Sequence, residues 1–299
     1  MIAAGTSAGV SSVFGAPIGG ALFSYEISKP NTFWTFIMVW RVFACSSVAT
    51  FLLGCFSQLY EGYRFSLDEI GSLKFGLLKD KASTLRDLPA PIIIGAVCGL
   101  LGSFFIQVNT TLGILRKKYL KKNWQKILEA VIFALASATI YFVVVVGRDE
   151  ICRYNAGSSL KTTDLERFRC PENQFNPLAT LLFNTEGGTI RSFLAYPSEL
   201  KNVSIENAVP ATDILIYFCV WYSLTIITYG VWVPAGLFIP GILIGCSVAI
   251  IYLDVLVFGL GVDINMISGQ SYIIIGATAM LASYCRLTYS LAVIMLETT

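Results

Sequence analysis

The stretch VPAGLFIPGILIG, Val233–Gly245, interrupts an apolar run that extends from about Ile214 to Phe258. Gly236, Phe238 and Pro240 mark the break. Proline fixes φ and lacks a backbone N–H, so it suits the first turn of a helix and disfavours its interior. Glycine lets the backbone turn sharply and lets a ligand approach closely. The spacing predicts a helix that starts at about Leu237, partway across a bilayer. Its first N–H groups have no partner within the helix. In hydrocarbon such donors must face protein, water or an ion. Together with the positive end of the helix dipole they form an anion site, as in the broken helices of transporters. An ordinary Pro/Gly kink in a spanning helix uses the same residues, and spacing alone leaves both readings open.

The composition is that of an integral membrane protein. Of 299 residues, 55% are hydrophobic and 13% charged, with a mean hydropathy of +0.69; soluble domains carry about 25% charged residues. A net charge of +2 gives no footprint for nucleic acid. The absence of histidine excludes an imidazole base and histidine metal sites. The first residues lack a basic n-region, so no cleavable signal peptide is expected. Cys45, Cys55, Cys98, Cys219, Cys246 and Cys285 lie in or beside apolar segments and read as buried small hydrophobes. Cys152 and Cys170 sit in a polar loop and are disulfide candidates if that loop faces an oxidising side, closing a loop worth roughly 3 kcal/mol. No cysteine spacing suggests a metal, and no nucleophile–base constellation suggests an enzyme.

From the N-terminus, Gly5–Tyr25 is uncharged and rich in small residues that let membrane helices pack closely. Gly15-Ala16-Pro17 is expected to kink it, and Glu26 follows at its end. Asn31–Phe56 is a second apolar segment, and 57–87 reads as a polar loop. Leu88–Leu115 is uncharged and long enough to span with tilt. The linker RKKYLKKNWQK (116–126) carries six positive charges and no acid, and the positive-inside rule makes it cytoplasmic. Trp124–Gly147 then spans back. The long polar loop 148–210 is thereby placed on the lumenal or extracellular side, in keeping with the cysteine pair and with Asn202-Val203-Ser204, a glycosylation acceptor at Asn202. Asn109-Thr110-Thr111 also matches but falls in an apolar segment. Ala211–Trp232 spans, Leu237–Val257 is the interrupted helix, and Gln270–Cys285 and Leu287–Thr299 are shorter apolar stretches.

There is also an internal echo. Laid over Ala279–Glu297, Ala8–Glu26 matches at Ala8/Ala279, Ser12/Ser283, Ala21/Ala292 and Glu26/Glu297. Four matches in such biased composition are weak, but both segments are short, apolar and end in glutamate, which an inverted repeat would produce.

The stretches AGVSSVFGAPIGGALFSYE (Ala8–Glu26), YGVWVPAGLFIPGILIG (Tyr229–Gly245) and RLTYSLAVIMLETT (Arg286–Thr299), in this order, resemble the CLC family of chloride channels and chloride/proton exchangers. RCPENQFNPLATLLFN (Arg169–Asn184) resembles the lumenal loop of the family's lysosomal and late-endosomal exchanger branch. The resemblance implies an all-α membrane protein with inverted repeats and half-spanning helices, a homodimer with one anion pathway per subunit, and no cofactor beyond chloride as the transported ligand. It makes Ala8–Glu26 and Ala279–Glu297 repeat mates. It places the family's Gly-x-Phe-x-Pro motif on Gly236, Phe238 and Pro240, and an anion site on Gly236, Leu237, Phe238, Ile239 and Pro240 in which the backbone N–H groups of Leu237 and Phe238 hold chloride.

The family's Gly-Ser-Gly-Ile-Pro and gating-glutamate stretches, its final tyrosine-bearing helix and its CBS pair do not occur in these residues. The resemblance therefore implies that the chain is the central part of a subunit, 1–299 being a partial transmembrane domain. Exchangers of the family usually carry two consecutive acids where this chain reads Glu26-Ile27. Isoleucine holds no proton, so the position favours a voltage-gated, passive chloride channel. Chloride/proton exchange in an endolysosomal membrane is the alternative, and a truncated subunit that modulates full-length partners is a third. A plasma-membrane location also stays open. Glu26 reads either as a pathway residue or as a structural cap, and Arg286 and Glu297 as structural or interfacial.

Overall fold

The computed structural model describes residues 1–28, 34–61, 87–148, 152–154, 166–171, 174–202, 209–263 and 267–298. In chain order the helices are α1 (Ile2–Phe14), α2 (Pro17–Ser28), α3 (Phe36–Glu61), α4 (Pro89–Tyr119) and α5 (Asn123–Gly147). Then come α6 (Pro177–Phe183), α7 (Glu186–Asn202), α8 (Ala211–Thr228), α9 (Phe238–Asp254, followed by a π-helical turn, Val255–Gly259), α10 (Gly269–Cys285) and α11 (Tyr289–Glu297). One two-stranded antiparallel ribbon, β1 (Arg153–Tyr154) with β2 (Gln174–Phe175), pairs Arg153 with Phe175. The fold is all-α, and five of the described helices are long and apolar enough to cross a membrane: α3, α4, α5, α8 and α9 with its π turn. The chain forms two compact units, Met1–Lys79 with Cys285–Thr299, and Asp80–Tyr284.

In the first unit, Gly15-Ala16-Pro17 does more than kink a helix. Gly15 adopts the left-handed conformation at φ 68°, and its N–H bonds back to the Ser11 carbonyl. That ends α1 as a glycine C-cap does, and Pro17 starts a new helix. The chain reverses, so that the Ser24 hydroxyl donates to the Ala3 carbonyl at 2.6 Å. A Cβ at Gly20 would stand 2.8 Å from both Ser11 Oγ and the Ser7 carbonyl, so the glycine sets how closely the two helices lie. The second apolar segment is α3, shifted from the expected Asn31–Phe56 to Phe36–Glu61. Residues 62–86 of the expected polar loop lie outside the described residues.

In the second unit, α9 is apolar all round and buried along nearly its whole length. Ile242, Leu243, Ile244, Ala249 and Ile250 are fully enclosed. Helix α5 is just as apolar, yet among its residues only Val145 is buried. An apolar helix that buries almost nothing against protein has hydrocarbon as its solvent, so the two helices share a composition for opposite reasons. The expected loop 148–210 is corrected most. Asn176 caps α6 by accepting the Ala179 N–H at 3.1 Å, with Pro177 at the first helical position. Leu178, Leu181 and Leu182 of α6 and Ile190, Phe193 and Leu194 of α7 are buried. Only the parts around them are polar, and that polarity masks two short core helices. The basic linker is corrected as well: Arg116–Tyr119 is the last turn of α4, and the chain reverses over Leu120–Lys122.

Arg116 links that reversal to α8. Its Nε donates to Glu129 Oε1 at 2.6 Å, and its two terminal nitrogens donate to the Tyr229 carbonyl at 3.2 Å and the Ile227 carbonyl at 2.5 Å. Asn109 adds bonds to the carbonyls of Ile226 and Tyr229. One guanidinium thus ties the α4–α5 hairpin to the C-terminal carbonyls of α8. Both side chains of the ion pair are mostly enclosed, 10% and 21% exposed. Arg116→Ala strands Glu129 beside three lost bonds and is expected to lower the unfolding free energy by roughly 2–4 kcal/mol. Arg116→Lys, a point charge without the planar fork, should recover less than half of that in the same thermal melt.

Candidate anion site and the paired glutamates

The helix predicted to begin at Leu237 does so. Leu237 is the N-cap of α9, and no side chain caps this end. The first intrahelical bond runs from the Gly241 N–H to the Leu237 carbonyl at 3.0 Å. Pro240 occupies a position whose N–H would have no helical acceptor, so it removes nothing from the ladder. The approach to the helix is irregular, with Gly230 at φ 99°.

The end of α9 opens on a pocket of about 140 Å³, lined by Gly236, Leu237 and Pro240 on one side and by Tyr141 and the α8 residues Trp221, Thr225 and Thr228 on the other. At about 30 Å³ per water, this holds four to five waters, or an anion with part of its shell. No charged side chain lines it. The Thr225 and Thr228 hydroxyls donate to carbonyls of their own helix, Trp221 and Leu224, so the helix end is the anion-attracting element of the lining. Sites built from backbone dipoles bind weakly enough to let an ion leave. A Cβ at Gly236 would touch nothing within 4 Å, so its side faces open space. Of the five residues read from the sequence, Gly236, Leu237 and Pro240 line the pocket directly. Tyr141 and Trp221 were missed, because aromatic residues in apolar helices carry no pattern that separates wall from core.

In the first unit, two glutamates cap each other's helices. Glu26, in the last turn of α2, accepts from the backbone and hydroxyl of Thr288 at 2.8 and 3.1 Å and from those of Ser290 at 3.1 and 2.5 Å, which is the start of α11. Glu297, at the end of α11, accepts from the N–H groups of Ile18 at 3.2 Å and Gly19 at 2.7 Å, which is the start of α2. The helices therefore run antiparallel, each supplying the carboxylate for the other's positive end. Glu26 lies outside the five long apolar spans. Burial pushes its pKa up, but the bonds from Ser290 and Thr288 outweigh this and hold it below the ordinary carboxylate value. Glu26 thus accepts from the start of a distant helix, α11. Removing such a cap costs about 1–2 kcal/mol. Glu26→Ala and Glu297→Ala should each shift the melting transition by that amount, and the double variant by nearly the sum, since the caps sit about 12 Å apart along α11.

Among the other candidates, Cys152 and Cys170 are joined in a disulfide with their Cα atoms 5.7 Å apart. Asn202 is the last residue of α7, and the rest of its acceptor triplet lies outside the described residues. Ile27 is about half exposed.

The sequence itself decides the family. A family model described as "Voltage gated chloride channel" matches residues 1–299. The chain belongs to this CLC family. Similar curated proteins include "H(+)/Cl(-) exchange transporter 7" of Mus musculus and of Homo sapiens, each 34% identical over 307 aligned residues that cover 100% of this chain and 36% of theirs. "Chloride channel protein C" of Dictyostelium discoideum is 29% identical, with 100% of this chain and 38% of that protein covered. The chain spans about a third of the length of the curated CLC relatives it matches. CLC membership makes it a multi-pass membrane protein, in keeping with the five long apolar helices.

Proposed function

We propose that this chain forms part of a chloride pathway across a membrane, as one protomer of a homodimer, with Gly236–Pro240 as a backbone-built binding station. The observation that carries the reading is the N-terminus of α9, left without a side-chain cap and opening on a pocket with no charged lining. The family description and the printed names of the relatives, all of which name chloride, support it.

Two transport modes have separate support. Ile27 carries no proton and Glu26 is committed to capping α11, which favours passive, voltage-dependent conduction. The names of the mammalian relatives, H(+)/Cl(-) exchangers, favour proton coupling, and with it an endolysosomal membrane. Reconstituted protein in liposomes distinguishes them. Passive conduction gives a reversal potential set by the chloride gradient alone, and a shift of that potential with a pH gradient establishes exchange. No chloride flux in either condition overturns the transport reading in favour of a modulatory subunit.

A further inference from the structure

The reversal between α4 and α5 gathers four lysines that no acid among the described residues pairs. Arg116 is spent on Glu129 and the α8 carbonyls. Lys117, Lys118, Lys121 and Lys122 are exposed, and none forms an ion pair among the described residues. Lys126 stands 3.7 Å over the Trp232 ring. The first turn of α5 contains no acid, so the positive end of its dipole adds to the lysines rather than opposing them. Four cations and a helix N-terminus crowded at one turn repel one another unless an anion sits among them.

Beside this turn lies an apolar groove of about 430 Å³. Its floor is one face of α5, with Gln125, Leu128, Ile132, Phe133 and Ala136 at helical spacing; Ile227 and Val231 also line it, and so do Arg116 and Glu129, whose charges pair with each other. From Gln125 to Ala136 the groove runs about 16 Å, roughly half the ~30 Å hydrocarbon thickness of a bilayer. It therefore has the length of one leaflet, with the lysines at its mouth. Much of the rest of α5 is exposed and apolar, as at Leu135 and Val143, and such a surface suits lipid.

We propose that this end of the α4–α5 hairpin holds one anionic phospholipid, its phosphate among Lys117, Lys118, Lys121 and Lys122 and one acyl chain in the groove over Leu128, Ile132 and Ala136. Charge complementarity selects the headgroup, and the leaflet-length apolar channel selects a lipid over a soluble phosphate or an acidic peptide. Basic pockets at helix ends recognise lipid headgroups in this way.

The test uses the purified full chain, re-lipidated with equal amounts of phosphatidylglycerol and phosphatidylcholine, washed, and read by native mass spectrometry. The expected result is at least tenfold more retained phosphatidylglycerol than phosphatidylcholine. Replacing all four lysines by glutamine should remove that preference, and Ala136→Trp, which fills the groove, should cut retention of the bound lipid. The substituted positions lie on the surface or in the groove, and unchanged elution and melting check that the variants fold. Equal retention of the two lipids by the unaltered protein overturns the proposal. So does a preference that survives the lysine substitutions, or a co-purified acidic protein occupying the groove in place of lipid. The readout is lipid bound, not ion moved, so it stands or falls separately from chloride transport.

Discussion

Leu237→Asp is expected to abolish chloride flux while leaving the protein folded and slightly more stable. Leu237 is the N-cap of α9 and offers no side-chain acceptor to the helix end. Aspartate is among the best N-cap residues, worth about 1 kcal/mol over an apolar residue. Because Pro240 has no N–H, the carboxylate's helical target is the N–H of Ile239. The same carboxylate would then lie in the mouth of the pocket that Leu237 lines. A unit negative charge about 5 Å from a chloride repels it by about 3 kcal/mol at an effective dielectric near 20, more than a hundredfold in occupancy. Leu237→Asn separates the two effects, since it caps the helix without the charge and should cost flux far less. Flux measured in liposomes beside a thermal melt decides the matter. Retained flux in the aspartate variant would remove the α9 end from the ion path, and loss of the fold would remove the cap geometry.

What was legible in the sequence was whatever a local rule dictates. The start of α9 was readable because Gly236 and Pro240 act on their own backbone, and the structure places the N-cap at Leu237 as expected. Gly15 was readable as a disturbance but not as a reversal, since a left-handed glycine followed by proline turns the chain by an amount that neighbours fix. The glutamate echo was readable, yet the exchange of caps was not: which helix end Glu26 reaches depends on bringing Thr288 and Ser290 beside it across most of the chain. Asn176-Pro177 carried a helix-start signal that the surrounding charge obscured, and packing in the core made α6 and α7 helices of a stretch that averages as loop. Arg116 reads as one of six cations in a linker, while its role in clamping α8 rests on carbonyls more than 110 residues away. The helix break at the proposed anion site is thus local, and the walls of the pocket before it, Tyr141 and Trp221 among them, are tertiary.

Gly245→Val should leave little folded protein. On α9, Gly241, Gly245 and Ala249 recur every four residues and form one stripe, the small-residue pattern that lets membrane helices approach to backbone contact. The stripe packs on α10 in antiparallel fashion: Gly241 lies against Leu281 and Tyr284, and Gly245 against Gly276 and Ala277. A Cβ at Gly245 would fall 2.3 Å from the Gly276 carbonyl oxygen and 2.7 Å from the Ala277 Cα. Both are backbone atoms, so no rotamer relieves the clash, and the helices must separate along the most buried of the described membrane-length helices. Overpacking that side chains absorb costs about 1–3 kcal/mol; separation of backbones also forfeits dispersion contacts on both sides. A loss above about 4 kcal/mol is expected, against a total stability of roughly 5–15 kcal/mol. Gly241→Ala is the graded control, because its nearest neighbour is the Leu281 Cδ2 at 2.8 Å, a side-chain end that can rotate; about 1 kcal/mol is expected. Gly236→Ala meets nothing within 4 Å and should melt within about 0.5 kcal/mol of the unaltered protein. The order 245, then 241, then 236 in monodisperse yield and melting temperature follows from backbone proximity alone. A tolerated valine at 245 would mean that α9 and α10 do not cross at Gly245 and Gly276, and the pocket at the head of α9 would lose the scaffold that holds it.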